Sequence, residues 1–80
     1  MKIPRDLSGM KLAKSLEVLG YRLTRQSGSH MRLITHENGE HHVTIPKRAS
    51  LRVGTIAGIL SDVAEHFGIT RGELIRQLFS

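Results

Sequence analysis

The residues in this 80-residue chain with most capacity for chemistry form a short run, Gly28-Ser29-His30-Met31-Arg32, and a later basic cluster of Lys47, Arg48 and Arg52. An imidazole with an unperturbed pKa of about 6.5 takes or gives a proton at neutral pH. A guanidinium beside it holds a phosphate through charge-assisted hydrogen bonds. Glycine at position 28 gives the backbone room for a phosphate to come close, and the amides of residues 27–29 could also donate to it, depending on their orientation. Arg32 follows His30 by two residues, which on a strand sets both on one face. Lys47, Arg48 and Arg52 crowd three cations into one loop. Taken alone, the same pattern also describes a solvated histidine after a turn.

Charge narrows the partner. Twelve Lys and Arg stand against seven Asp and Glu, for a net charge of +5 and a sequence pI of about 10.5. Residues 1–52 carry ten basic and four acidic side chains, whereas residues 53–80 carry two and three. A basic body with a faintly acidic tail points to a polyanion such as nucleic acid. Tyr21, Phe67 and Phe79 are the only aromatics, too few for a stacking platform of the kind that reads single strands. With no cysteine there is no disulfide framework and no thiolate zinc site. His41 and His42 are neighbours on a strand and point to opposite faces, so they cannot chelate one metal together; no metal and no cofactor is expected. No apolar run approaches a membrane span and no signal-peptide pattern opens the chain, so a cytoplasmic protein without membrane contact is expected.

The elements that must position these groups can be read from patterning. Ser8 is a candidate N-cap for a helix of about twelve residues, with Leu12, Leu16 and Leu19 on one face and Gly20 as its stop. Three strands follow, at Tyr21–Gln26, His30–His36 and His41–Ile45, separated by Ser27-Gly28-Ser29 and by Glu37-Asn38-Gly39-Glu40. A two-residue Asn38-Gly39 turn would pair Arg32 with Ile45 and drive a charge inward. A three-residue loop with a bulge at Gly39 pairs Leu33 with Val43 and Met31 with Ile45, and is preferred. A three-residue loop at 27–29 then sets Leu23 opposite Leu33. On this register His30, Arg32 and His36 share the outer face with Arg22, Thr24, His42 and Thr44. A second helix is expected from Gly54 to His66, stopped by Gly68. Thr70-Arg71-Gly72-Glu73 is a capping box for a third, reaching Phe79. His66 is expected to complement the dipole of its helix. The expected architecture is α+β in the order αβββαα, a single domain over residues 1–80, with a three-stranded antiparallel sheet and helices packed on one face.

Gly28-Ser29-His30 after a helix and a strand, Val43-Thr44-Ile45-Pro46 on the third strand, and Gly54-Thr55-Ile56 with Ile59-Leu60 opening the next helix resemble the HicA-type mRNA interferase toxins. The resemblance runs from about Ser8 to Leu78. It implies a double-stranded-RNA-binding-domain-like fold, metal-independent endoribonuclease activity on mRNA, and neutralisation by a HicB-type antitoxin; His30 matches the family's catalytic histidine. On this reading Gly28, Ser29, Arg32, Lys47, Arg48 and Arg52 bind the RNA. One departure stands out. Members of the family often carry a histidine shortly after the third-strand proline, where this chain has Lys47-Arg48-Ala49-Ser50; a second acid or base would then fall to His42, His36 or a cation. Two other readings stay open. One is a catalytically weak RNA-binding module. The other is a helix-turn-helix DNA-binding regulator over residues 60–77, disfavoured because the positive charge lies in the other part of the chain.

Overall fold

The computed structural model describes residues 3–4 and 6–79; positions 1, 2, 5 and 80 lie outside the described residues. Helix α1 (Gly9–Ser15) starts where expected, with the Lys11 N–H donating to the Ser8 hydroxyl at 3.0 Å. It does not stay α-helical to its end: Leu16–Leu19 tighten into a 3₁₀ turn. Residues three apart eclipse in a 3₁₀ turn, which keeps both Leu16 and Leu19 buried. Gly20, at φ +84°, closes the turn. The Gly20 N–H donates to the Glu17 carbonyl and the Tyr21 N–H to that of Leu16, the paired bonds of a Schellman stop.

Strands β1 (Arg22–Ser27), β2 (His30–Thr35) and β3 (His41–Pro46) form an antiparallel sheet in the order β1-β2-β3. Leu33 faces Val43 and Met31 faces Ile45, the register that spares Arg32 from the core. Asn38 and Gly39 both take positive φ in the connecting loop. The first hairpin corrects an expectation. Its turn is two residues, Gly28-Ser29, joining Ser27 directly to His30, and Gly28 takes φ +57°, as the first position of a II′ turn demands. Leu23 still faces Leu33, because the ladder shifts between Leu23 and Arg25 and leaves Thr24 as a bulge. A three-residue loop and a two-residue loop plus a bulge span the same number of residues, so both set Leu23 opposite Leu33.

Met31, Leu33, Val43 and Ile45 turn to the helical side and join one core with Leu12 and Leu16 of the first helix and Leu60 and Val63 of the second. On the opposite face Arg25, Arg32 and Thr44 are exposed, with no helix over them. β1 buries less than its alternation suggests: all six of its residues are exposed, and Leu23 keeps 53% of its surface. This strand overhangs the helical layer, leaving an open cleft against Met10, Ala13 and Lys14.

Helix α2 (Val53–Phe67) runs one residue further at each end than expected and stops at Gly68, φ +66°. Thr70 caps helix α3 (Arg71–Phe79), accepting from the Glu73 N–H at 3.1 Å. Ala64 and Leu74 are buried between these helices, as residues closing a core are. No helix among the described residues is long and apolar enough to cross a membrane.

At the β2–β3 turn end of the sheet a polar cluster ties the hairpin to α2. The Tyr21 hydroxyl lies 2.6 Å from His41 Nδ1, and His41 Nε2 lies 3.3 Å from Asp62 Oδ1. The His41 ring stacks on His66 at 4.4 Å between centroids. His66 does more than complement a helix dipole. Its Nε2 bonds the Glu37 carbonyl at 2.9 Å, while the Asn38 amide donates to the His66 carbonyl at 2.8 Å.

Candidate active site

His30 is the first residue of β2, at the end of the sheet away from that cluster. It pairs with Ser27 of β1 on one side and Pro46 of β3 on the other, and its ring is exposed. The type of turn before it explains its place: Gly28 supplies the positive φ that lets two residues reverse the chain. A Cβ at Gly28 would meet nothing within 4 Å, so the glycine is there for conformation and not to make room.

The basic loop is held against this corner by backbone bonds. The Lys47 N–H donates to the Ser29 carbonyl at 2.6 Å, and the Arg48 N–H to the Pro46 carbonyl at 3.0 Å. On its other side, the Gly9 N–H donates to the Arg48 carbonyl at 2.9 Å and the Leu51 N–H to that of Leu7 at 2.8 Å. Gly9 must lack a side chain here, since a Cβ would collide with the Pro46 carbonyl oxygen. Four backbone bonds thus fix a loop that composition alone would leave loose, and with it the origins of Arg48 and Arg52.

His30 stands between two depressions. One, of about 320 Å³, is lined by Ser29, His30, Pro46, Arg48, Arg52 and Thr55 among others. α2 begins there, on Arg52, without a side-chain cap and without an acid in its first turn, so its positive end adds to the arginines. The second, of about 220 Å³, lies on the open face of the sheet and is lined by Arg25, Ser27, His30, Arg32 and Thr44. Neither contains a carboxylate. Among the described residues no three His, Cys, Asp or Glu side chains are grouped to hold a metal ion.

The structure therefore brings His30, Ser29, Arg48 and Arg52 together on one side and His30 and Arg32 on the other. Lys47 is exposed and lines neither depression. The other outer-face histidines are remote. His42 lies four residues along β3 from Pro46, about 13 Å at strand spacing, and His36 lies beyond the far end of β2. His42 is engaged instead with Glu40, Nε2 to Oε2 at 2.9 Å. That hydrogen bond, with the charge of His42, holds the Glu40 carboxyl below the usual carboxylate range. The groups that do stand near His30 are arginines and the hydroxyls of Ser29, Thr55, Ser27 and Thr44. Of these, Arg25 has no signal in the sequence, because alternation assigns it to the core side; only the bulge turns it outward.

The fold and this corner define a class: a small basic α+β protein with a three-stranded antiparallel sheet, helices on one face and an architecture like that of double-stranded-RNA-binding domains. A family model described as the HicA toxin of bacterial toxin–antitoxin systems matches residues 9–64, and the chain belongs to that family. No curated protein and no solved structure matches it.

Proposed function

We propose that this protein is the toxin of a toxin–antitoxin pair that cuts mRNA as an endoribonuclease, with His30 as the proton-transfer group, and that a HicB-type antitoxin holds it inactive. The observation that carries this reading is the position of His30, an exposed imidazole shared by two arginine-lined depressions with no carboxylate in either. Cleavage through the substrate's own 2′-hydroxyl fits these groups. His30 takes the 2′-hydroxyl proton as the O2′–P bond forms. Arg48 and Arg52 face the charge that grows on the phosphorane oxygens. The P–O5′ bond then breaks, and the 5′-oxygen takes a proton from water or from the imidazolium that His30 has become, leaving a 2′,3′-cyclic phosphate and a 5′-hydroxyl. With one histidine in place of two, acid and base duties fall on a single ring, and a slow enzyme is expected. Ser29 and the Gly28 turn shape the approach, and Lys47 adds charge at the rim.

The test is cleavage of RNA by purified protein with and without His30→Ala. General acid–base catalysis by a placed side chain is worth about 10²–10⁴-fold, so the variant should lose at least about a hundredfold in rate while melting at the same temperature. Equal activity in both proteins would remove His30 from the mechanism. Because the site offers cations and not carboxylates, chelation by EDTA should leave the rate unchanged.

A further inference from the structure

The bulge in β1 has a directional effect. Without it, the Leu23–Leu33 register would continue as Thr24 opposite Arg32 and Arg25 opposite Met31, which would send the Arg25 guanidinium toward the core. With it, Arg25 faces Arg32 across the ladder and lines the depression on the open sheet face with Ser27, His30 and Thr44. The Thr24 hydroxyl secures the irregularity by donating to the Arg32 carbonyl at 3.2 Å. The result places two like charges directly opposite each other, an arrangement that is locally destabilising. No carboxylate relieves it: neither guanidinium has an ion pair or a side-chain hydrogen bond among the described residues, and no acid lines the depression. Two unrelieved guanidiniums, a hydroxyl on either side and an open face make a receptor for one anion.

We propose that Arg25 and Arg32, with Thr44, form a second phosphate subsite, which takes the phosphate next to the one cut at His30. This rests on the nuclease reading for the identity of the ligand. Arg25–Arg32 and Ser27–His30 are rungs of the same hairpin with Gln26–Met31 between them, which sets them about 7 Å apart along the strand, a distance an extended RNA strand covers in one nucleotide. The chain thus crosses His30 from the α2 side, where Arg48 and Arg52 hold the reacting phosphate, onto the sheet, where Arg25 and Arg32 hold its neighbour. Arg25 is a binding residue and not a catalytic one.

The test uses a fluorescently labelled random-sequence RNA hexamer bound to the uncleaving His30→Ala protein, read by anisotropy over a salt series. Adding Arg25→Ala should weaken binding about tenfold, and the slope of log Kd against log salt should fall by about 0.7, the contribution of one single-strand phosphate contact. Arg25→Lys should restore the slope but not the full affinity, because a point charge cannot make the forked contact. An unchanged Kd and slope on Arg25→Ala would overturn the subsite and leave the exposed guanidinium to a protein partner. Failure of the nuclease reading looks different: hexamer binding that responds to Arg25, together with no cleavage by the wild type, would remove the reaction and keep the subsite.

Discussion

The hydroxyl of Tyr21 and Nδ1 of His41 lie 2.6 Å apart in the wall between the sheet and α2. Asp62 sets the tautomer: its carboxylate only accepts, so the neutral ring carries its proton on Nε2 and leaves Nδ1 to accept from the phenol. Tyr21 is fully buried, so its hydroxyl has this histidine in place of water. His41 is thereby a structural histidine, and His30, at the other end of the same sheet with its ring exposed, is not.

The two histidines should separate cleanly on substitution. His41→Ala strands a buried hydroxyl and removes the stack on His66, and should cost about 1–3 kcal/mol of stability. Any RNA cleavage per folded molecule should be untouched. His30→Ala should show the reverse, no loss of stability and loss of cleavage. Denaturant unfolding and a cleavage assay on both variants check this; parallel losses in the two would show that the histidines act as one unit.

Burial, with a smaller contribution from Asp62, pushes the Tyr21 phenol up to about 12. An acid whose pKa is raised by folding is neutral in the native state where the unfolded chain has begun to ionise. Its stabilising contribution is therefore whole below pH 10 and lost progressively as pH rises from 10 to about 12. Tyr21 is the only tyrosine, so phenolate absorbance reports it without interference. The midpoint should lie near 12 in the native protein and near 10 in denaturant, and alkaline loss of stability should be shallower in Tyr21→Phe. A native midpoint at 10 would mean the phenol is open to water.

Gly9→Ala should disturb a loop nearly forty residues away in sequence. The added methyl meets the Pro46 carbonyl oxygen, and either α1 or the end of β3 must move. Loss of the Gly9–Arg48 backbone bond follows, with an expected cost of about 1–3 kcal/mol for overpacking. Weaker RNA binding should accompany it, as Arg48 shifts. A melt together with an RNA titration would detect both; a variant with wild-type values in each would show that the junction has slack.

The basic cluster should not behave as three equal charges. Arg48→Ala and Arg52→Ala should each weaken RNA binding and lower the salt slope by about 0.7, whereas Lys47→Ala, whose side chain lines neither depression, should change the slope by less. Equal slopes for all three variants would mean that the cations act as a diffuse field and not through placed contacts.

Much of this was readable from residue types. Ser8, Gly20, Gly68 and Thr70 mark helix ends because each supplies a bond or a dihedral that few residues can supply. The β2–β3 register followed from keeping Arg32 out of the core. The bulge at Thr24 was not readable, since a loop of three and a loop of two with one extra strand residue leave Leu23 opposite the same partner. The outward turn of Arg25 is hidden with it. The 3₁₀ turn at Leu16–Leu19 was hidden for a similar reason, because spacings of three and four bury the same leucines. Nor could composition reveal that His66 and Asn38 grip each other's chain segments, a contact made between parts of the sequence 28 residues apart.

The irregular β1 matters also for how the molecule meets others of its kind. A free strand at a sheet's border offers a row of amides and carbonyls on which another sheet can grow. Here the even spacing of that row is interrupted at Thr24, and Arg22 and Arg25 flank the break. A second copy approaching edge to edge would meet its own guanidiniums over a broken rail. The departure from regularity that turns one arginine outward thus also makes this border a poor template for another strand.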